Sequence, residues 1–186
     1  MNFLTKPQNV DNIGNLCGTR NGKLLKTRFG TWNIRTLYKA VALKNIVEEI
    51  KKYKVSIVAI QETRWLGNGN VQSGNSTIFF SGKEIGKHEH GIGFIVSNFI
   101  LSSIKLFMPV NERLCYLQIA GRIFDICIIN GYAPTEDQDE EVKNIFHEDL
   151  ERLFDFLPNN CIKIIAGDLN AQVGKEQFLR LTIGQK

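Results

Sequence analysis

The chain has 186 residues, a formal net charge of +4, 43% hydrophobic residues and 23% charged residues. That suffices for one domain with a real core, and no apolar run approaches the roughly 20 residues that a membrane-spanning helix needs. Cys17, Cys115, Cys127 and Cys161 form no C-x-x-C pair, which argues against zinc, and the scattered basic residues tolerate a polyanionic partner without demanding one.

In chain order, residues 1–22 are rich in Asn, Gly and Lys, show no apolar periodicity and read as a flexible arm. This opening is too polar for a signal peptide, so an intracellular location is expected. One domain is expected over 23–178, with a short tail over 179–186. "KLLKTRFGTWNI" reads as a first strand, weakened by Gly30. "ALKNIVEEIKKYK" then sets Leu43, Ile46, Val47 and Ile50 at helical spacing. "VSIVAI" is apolar on both faces and reads as a strand covered on both sides. "TIFFSG" and "GIGFIVS" form two strands joined by the polar loop "KEIGKHEH", and "LCYLQIA" and "IFDICIINGY" form a pair that turns at Gly121 and Arg122.

The second helix carries the most boundary signals. Thr135 is placed to cap it with Gln138 as capping-box partner, and Glu136 and Asp137 suit the dipole of its first turn. Val142, Ile145, Phe146, Leu150, Leu153, Phe154 and Leu157 make its stripe, and Pro158 stops it. "CIKIIAGDLN" is a last strand, with Cys127 and Cys161 as small core residues of their strands. Strands dominate, with two helices, and an α/β (α+β) layered domain follows.

Four of these strands end alike. "GTWN" delivers Asn33, "VAIQET" delivers Glu62, "IFDICIINGYAP" delivers Asn130, Tyr132 and Pro134, and "IIAGDLN" delivers Asp168 and Asn170. Any one of these is an ordinary turn. Together they set carboxylates, amides and a phenol at the carboxyl ends of apolar strands, where α/β proteins commonly build ligand sites. Hard oxygen ligands of this kind suit Mg²⁺ or Mn²⁺. A carboxylate-held Mg²⁺ beside amide donors is what phosphodiester hydrolysis requires.

The ordered set "TWNIRTL", "VAIQETRW", "GIGFIVS", "INGYAPT" and "IIAGDLNAQVG" resembles the endonuclease/exonuclease/phosphatase family, across roughly residues 28–178. Within it the likeness runs to the endonuclease-like domains of non-LTR retrotransposons and to craniofacial development protein 2-like sequences. The resemblance implies a four-layered α/β/β/α sandwich. It implies that Glu62 binds the metal, with Asn33 near it, and that Tyr132 reaches the scissile phosphate. Asp168 would orient or activate the attacking water, and Asn170 would help hold the phosphate. Arg35, Lys39, Arg64 and Trp65 follow Asn33 and Glu62 closely and are candidates for contact with a nucleic-acid backbone and base. Surface charge and a packed Trp explain them equally well.

This sequence departs from the family pattern at one place. The family continues past its GD-x-N motif to a late Ser-Asp-His motif, and no such triplet occurs here. The expectation is therefore an incomplete second sheet, whose last strand leaves an edge open to association. His147 falls on a polar helix position, while His88 and His90 sit in a polar loop and could pair only if that segment were extended. The expected function is a Mg²⁺-dependent DNA endonuclease domain of retrotransposon origin, weak or inactive, acting in the nucleus without an organic cofactor or a membrane. The alternatives are a non-catalytic nucleic-acid or protein-binding remnant, and a phosphodiesterase or phosphatase for RNA or a small phosphoester.

Overall fold

The structure is a computed structural model that describes residues 8–12, 19–20, 23–24, 27–37 and 40–170. Cys17, Lys39 and the expected tail lie outside the described residues.

Two sheets carry the fold. The first is six-stranded: β1 (Gln8–Asn12), β4 (Arg28–Asn33), β5 (Ile57–Gln61), β8 (Ile92–Ser97), β7 (Ser76–Ser81) and β6 (Asn68–Ser73), in that spatial order. The strands β2 (Thr19–Arg20) and β3 (Lys23–Leu24) pair only with each other. The second sheet is four-stranded: β12 (Cys161–Asp168), β11 (Asp125–Tyr132), β10 (Leu114–Ile119) and β9 (Ile104–Pro109). A short 3-10 helix, Asn98–Ser103, carries the chain between the sheets. Among the described strands only two neighbouring pairs run parallel, β4 with β5 and β11 with β12. Each parallel pair contains a helical crossover: α1 (Ala40–Tyr53) links β4 to β5, and α2 (Glu140–Phe156) links β11 to β12.

Period-two alternation makes the layers. Phe29, Ile57, Ala59, Ile92, Phe94, Leu117, Ile126 and Ile128 point into the gap between the sheets and form one core. Trp32, Val58, Ile60 and Ile95 point the other way and meet Leu43, Ile46, Val47 and Ile50 of α1. Those four helix positions are the expected stripe, and full burial of each is worth roughly 1.5–3 kcal/mol. On the far side, Leu114, Tyr116, Cys127 and Ile129 meet Phe146, Leu153 and Leu157 of α2. The result is the helix–sheet–sheet–helix sandwich that the resemblance implies. Cys115 and Cys127 are buried in it, and Cys161 is half-buried.

Several expectations need correction. The stretch read as a loose arm contains β1, which pairs antiparallel with β4. An edge strand needs only its backbone groups to pair, so apolar periodicity is no guide to it. The second helix begins at Glu140, not after Thr135. Gln138 N–H donates to Thr135 O at 3.1 Å, so the expected capping box is a tight turn that returns the chain toward the sheet. Glu140 and Glu141, not Glu136 and Asp137, load the first turn of the helix. The buried stripe is also narrower than expected, since Ile145 and Phe154 are exposed. Among the described residues β12 is the edge of the second sheet, and Ile162 and Ile165 on it are 47% and 40% exposed.

Candidate active site

The parallel pairs fix where the strand ends meet. Asn33 is level with Gln61 in the β4–β5 ladder, and Tyr132 is level with Asp168 in the β11–β12 ladder. The two ladders face each other across the inter-sheet core. Asn33, Tyr132 and Asp168 continue the inward-facing alternation of their strands, and Glu62 follows Gln61 directly. The four side chains therefore converge at one end of the sandwich.

The contacts are direct. Asn33 Nδ2 donates to Glu62 Oε1 at 2.9 Å and to Asp168 Oδ2 at 3.0 Å. Tyr132 O–H donates to the same Glu62 Oε1 at 3.1 Å. Arg64 Nη2 lies 3.4 Å from Glu62 Oε2. Asn170 sits on the rim and donates from Nδ2 to Ala133 O at 2.7 Å. Gly167 allows this closeness, because a Cβ there, at φ +126°, would run into the carbonyl of Gly131 on the neighbouring strand.

Beneath the site, the sheets are tied by a buried polar network. Asn130, fully buried, donates from Nδ2 to Ile60 O at 3.0 Å and to Gly93 O at 2.8 Å. Its Oδ1 accepts from Gln61 Nε2 at 2.8 Å, and that nitrogen also reaches Thr31 Oγ1 at 3.1 Å. All of these groups are satisfied, so the network specifies one sheet-to-sheet register at little cost.

Backbone strain gathers at the same end. Arg35, Glu62, Arg64, His90 and Asn170 have φ of 60°, 60°, 57°, 58° and 44°, and Lys54 is the one other described non-glycine residue at positive φ. Such conformations cost of order 1–3 kcal/mol each and persist where the surroundings hold them. Here two loops zip together: Thr63 N–H donates to Gly91 O at 2.9 Å and Arg64 N–H to His90 O at 2.8 Å.

Electrostatics follow from these contacts. Burial pushes the Glu62 carboxyl up, but hydrogen bonds from Asn33, Tyr132 and Arg64 outweigh it and hold the group below the usual range. The Tyr132 phenol is pushed up to about 12 by burial and then by the Glu62 charge. His90 is held below its ordinary value by burial and by the charge of Arg113.

The remaining candidates divide. Arg64 is at the site. Arg35 is exposed, and its backbone N–H bonds Asn33 Oδ1 at 3.2 Å. Trp65 is packed, with its indole N–H donating to Leu37 O at 3.0 Å and its ring edge-on to Phe80 at 5.0 Å. His147 is exposed on α2, and His88, also exposed, lies 3.0 Å from Arg64 O through Nδ1. His90 is half-buried, with its ring 6.0 Å from that of Tyr132. Sequence reasoning missed Arg113, which touches both rings; a charged residue at the entrance to an apolar strand was the only signal it offered.

Residues 30–186 match the Endonuclease/Exonuclease/phosphatase family. The chain belongs to that family. It is 29% identical over 153 residues to craniofacial development protein 2 of Bos taurus and, equally, of Tragulus javanicus, covering 82% of this chain. The chain spans 26% of the length of these curated relatives. Among solved structures, the endonuclease domain of TRAS1, a telomere-specific non-LTR retrotransposon, superposes with a TM-score of 0.53 at 19% identity, covering 79% of this chain and 62% of that one. D. rerio TDP2 complexed with single-strand DNA product gives 0.53 at 13% identity, covering 77% and 60%. At these identities the likeness is one of fold.

Endonuclease/Exonuclease/phosphatase enzymes generally depend on a divalent metal. The donor set here fits one. Two carboxylates face each other across a single amide nitrogen, and Mg²⁺ is commonly held by one or two carboxylates while keeping several waters. No group of three His, Cys, Asp or Glu converges among the described residues, so a soft or zinc-type cage is not formed by them.

Proposed function

We propose that the chain is a Mg²⁺-dependent phosphodiester hydrolase of nucleic acid, of the DNA endonuclease type and of retrotransposon origin. The observation that carries this reading is the amide of Asn33 joined to both Glu62 and Asp168, with the Tyr132 phenol on Glu62. Family membership and the likeness to the TRAS1 endonuclease domain and to DNA-bound TDP2 support it. A DNA substrate makes the nucleus the place of action.

Glu62 would hold the metal, with Asn33 beside it. The metal, when bound, neutralises charge that develops on the phosphate. Asp168 would accept a hydrogen bond from the attacking water and orient it, taking its proton as the water oxygen bonds to phosphorus, while the P–O bond to the leaving sugar oxygen breaks and that oxygen takes a proton from solvent. The Tyr132 hydroxyl, protonated at neutral pH, would swing its hydrogen bond from Glu62 Oε1 to a phosphate oxygen when substrate binds, and the second amide hydrogen of Asn170 would donate to another. Arg64, and Arg35 and Lys39 nearby in sequence, would meet the backbone of the substrate.

A second reading, a nucleic-acid-binding module without turnover, draws on the absence, among the described residues, of a third metal-ligating side chain beside Glu62 and Asp168. One assay separates the readings: supercoiled plasmid and labelled RNA incubated with the protein and Mg²⁺, beside Asp168→Asn. Mg²⁺-dependent nicking that Asp168→Asn abolishes supports the hydrolase. Binding of plasmid with no nicking by either protein supports the module. Cleavage of RNA in preference to DNA would shift the substrate and keep the chemistry.

A further inference from the structure

Arg113 stands between the loop before β10 and the site. Its backbone is pinned by Asn111, whose Oδ1 accepts from Arg113 N–H and from Leu114 N–H, both at 2.8 Å. From there it grips Tyr132 on both sides of the peptide chain. Arg113 O accepts from Tyr132 N–H at 2.9 Å, and Arg113 Nη1 donates to Tyr132 O at 3.1 Å. The guanidinium carbon also lies 5.5 Å from the centre of the Tyr132 ring, in range for a cation–π contact. The remaining arm of the fork, Nη2, lies 3.2 Å from His90 Nε2.

We propose that Arg113 is a positioning residue: it fixes Tyr132 against Glu62 and locks His90 as the neutral Nδ1–H tautomer. The effect on rate rests on the hydrolase reading above; the tautomer does not.

The chemistry leaves little choice. A guanidinium only donates, so His90 Nε2 must accept, and an imidazole that accepts at Nε2 carries its single proton on Nδ1. Among the described residues Arg113 forms no salt bridge with a carboxylate. Its named acceptors are the carbonyl of Tyr132 and the imidazole of His90, both neutral. Glu112 next to it acts through its charge but makes no ion pair with it among the described residues. A half-buried cation without a paired carboxylate is costly, so a purely structural arginine is better placed on the surface or in an ion pair. What this placement supplies is geometric. The Tyr132 peptide and ring are both held, and the phenol is left aimed at Glu62 Oε1 at 3.1 Å. Lysine could offer the charge but not three directed contacts, because its ammonium is a point charge and not a planar fork.

The test uses the 186-residue chain and two readouts. Nitrogen-15 NMR of the imidazoles, with His90 assigned through His90→Gln, should show His90 as the Nδ1–H tautomer. In Arg113→Met it should revert to the Nε2–H form that free imidazoles favour in water. Kinetics of Mg²⁺-dependent nicking should show kcat lowered about 10–100-fold in Arg113→Met with KM changed less than about twofold, the mark of lost positioning. Arg113→Lys should recover less than about a tenth of that loss. Thermal melts check that each variant folds, and Arg113→Gln carries both measurements should Arg113→Met not fold. The proposal is overturned by an Nε2–H tautomer in the parent chain, by a rise in KM with kcat unchanged, or by full rescue with Lys. If the parent chain shows no nicking at all, the hydrolase reading falls, and the tautomer comparison alone decides the proposal.

Discussion

Asn33 and Asp168 lie 135 positions apart in the chain, and a hydrogen bond of 3.0 Å joins their side chains. The same Asn33 nitrogen reaches Glu62, so one amide neutralises part of the repulsion between two carboxylates. Asn33→Leu should leave those carboxylates facing each other with no donor between them. Nicking should fall about a hundredfold or more, and the melting temperature should become more sensitive to added Mg²⁺ than in the parent chain. An Mg²⁺ response of the melt that is unchanged would argue against a shared site.

Glu62 supplies a pH dependence. Its folded pKa is lowered below the ordinary 4.5. In metal-free buffer its contribution to stability is thus fully present above 4.5 and is lost as pH falls through the lower folded value. The gap in unfolding free energy between the parent chain and Glu62→Gln should be constant near neutrality and shrink as the solution is acidified below that point. Isothermal titration with Mn²⁺ should give a signal that Glu62→Gln removes.

His90 behaves in the opposite sense to a histidine that gains an acidic partner. Its folded pKa lies below 6.5. Between the folded value and 6.5 the unfolded chain binds more protons, so stability should rise with pH across that window and be lost on acidification. Urea unfolding at a series of pH values, with His90→Gln as control, measures the slope that should vanish in the variant.

Asn130 ties one sheet to the other through two carbonyls and a glutamine amide. Asn130→Ala removes a donor from both carbonyls and an acceptor from the Gln61 amide, which keeps only Thr31, in a fully buried place. A loss of about 2–4 kcal/mol in urea unfolding is expected. Asn130→Asp should cost more, because a carboxylate would face two carbonyl oxygens.

The edge of β12 exposes Ile162 and Ile165. Ile162→Lys with Ile165→Lys should reduce self-association in sedimentation or light scattering at raised concentration, with the far-ultraviolet circular dichroism spectrum kept. Association that is indifferent to both changes would place the sticky surface elsewhere.

Parts of this architecture were legible for physical reasons. The α1 stripe and the wholly apolar β5 read correctly because burial on one face, or on both, imposes a period on the sequence. The polar strand ends stood out because each followed such a run, and the structure brings Asn33, Glu62, Tyr132 and Asp168 together. β6 and β9 went unread. β6 is mostly polar and exposed, and β9 alternates irregularly as the outer strand of its sheet. The meeting of Arg113 with His90 was beyond reach, because it depends on two loops whose shapes are set by left-handed turns and by sheet docking. The link from Asn130 to Ile60 and Gly93 depends on which sheet faces which, and no local pattern encodes that.

The site is divided between the sheets, with Asn33 and Glu62 on the first and Tyr132 and Asp168 on the second. The described strands of the first sheet end at Ser97, and those of the second begin at Ile104. A ribosome, delivering the chain from its N-terminus, thus releases one half of the constellation well before the other. Until Asp168 has cleared the exit tunnel and the sheets have closed, the nascent polypeptide holds a carboxylate and an amide with nothing opposite them. Under the proposed hydrolase reading, order of synthesis alone keeps the site unassembled until the fold is finished.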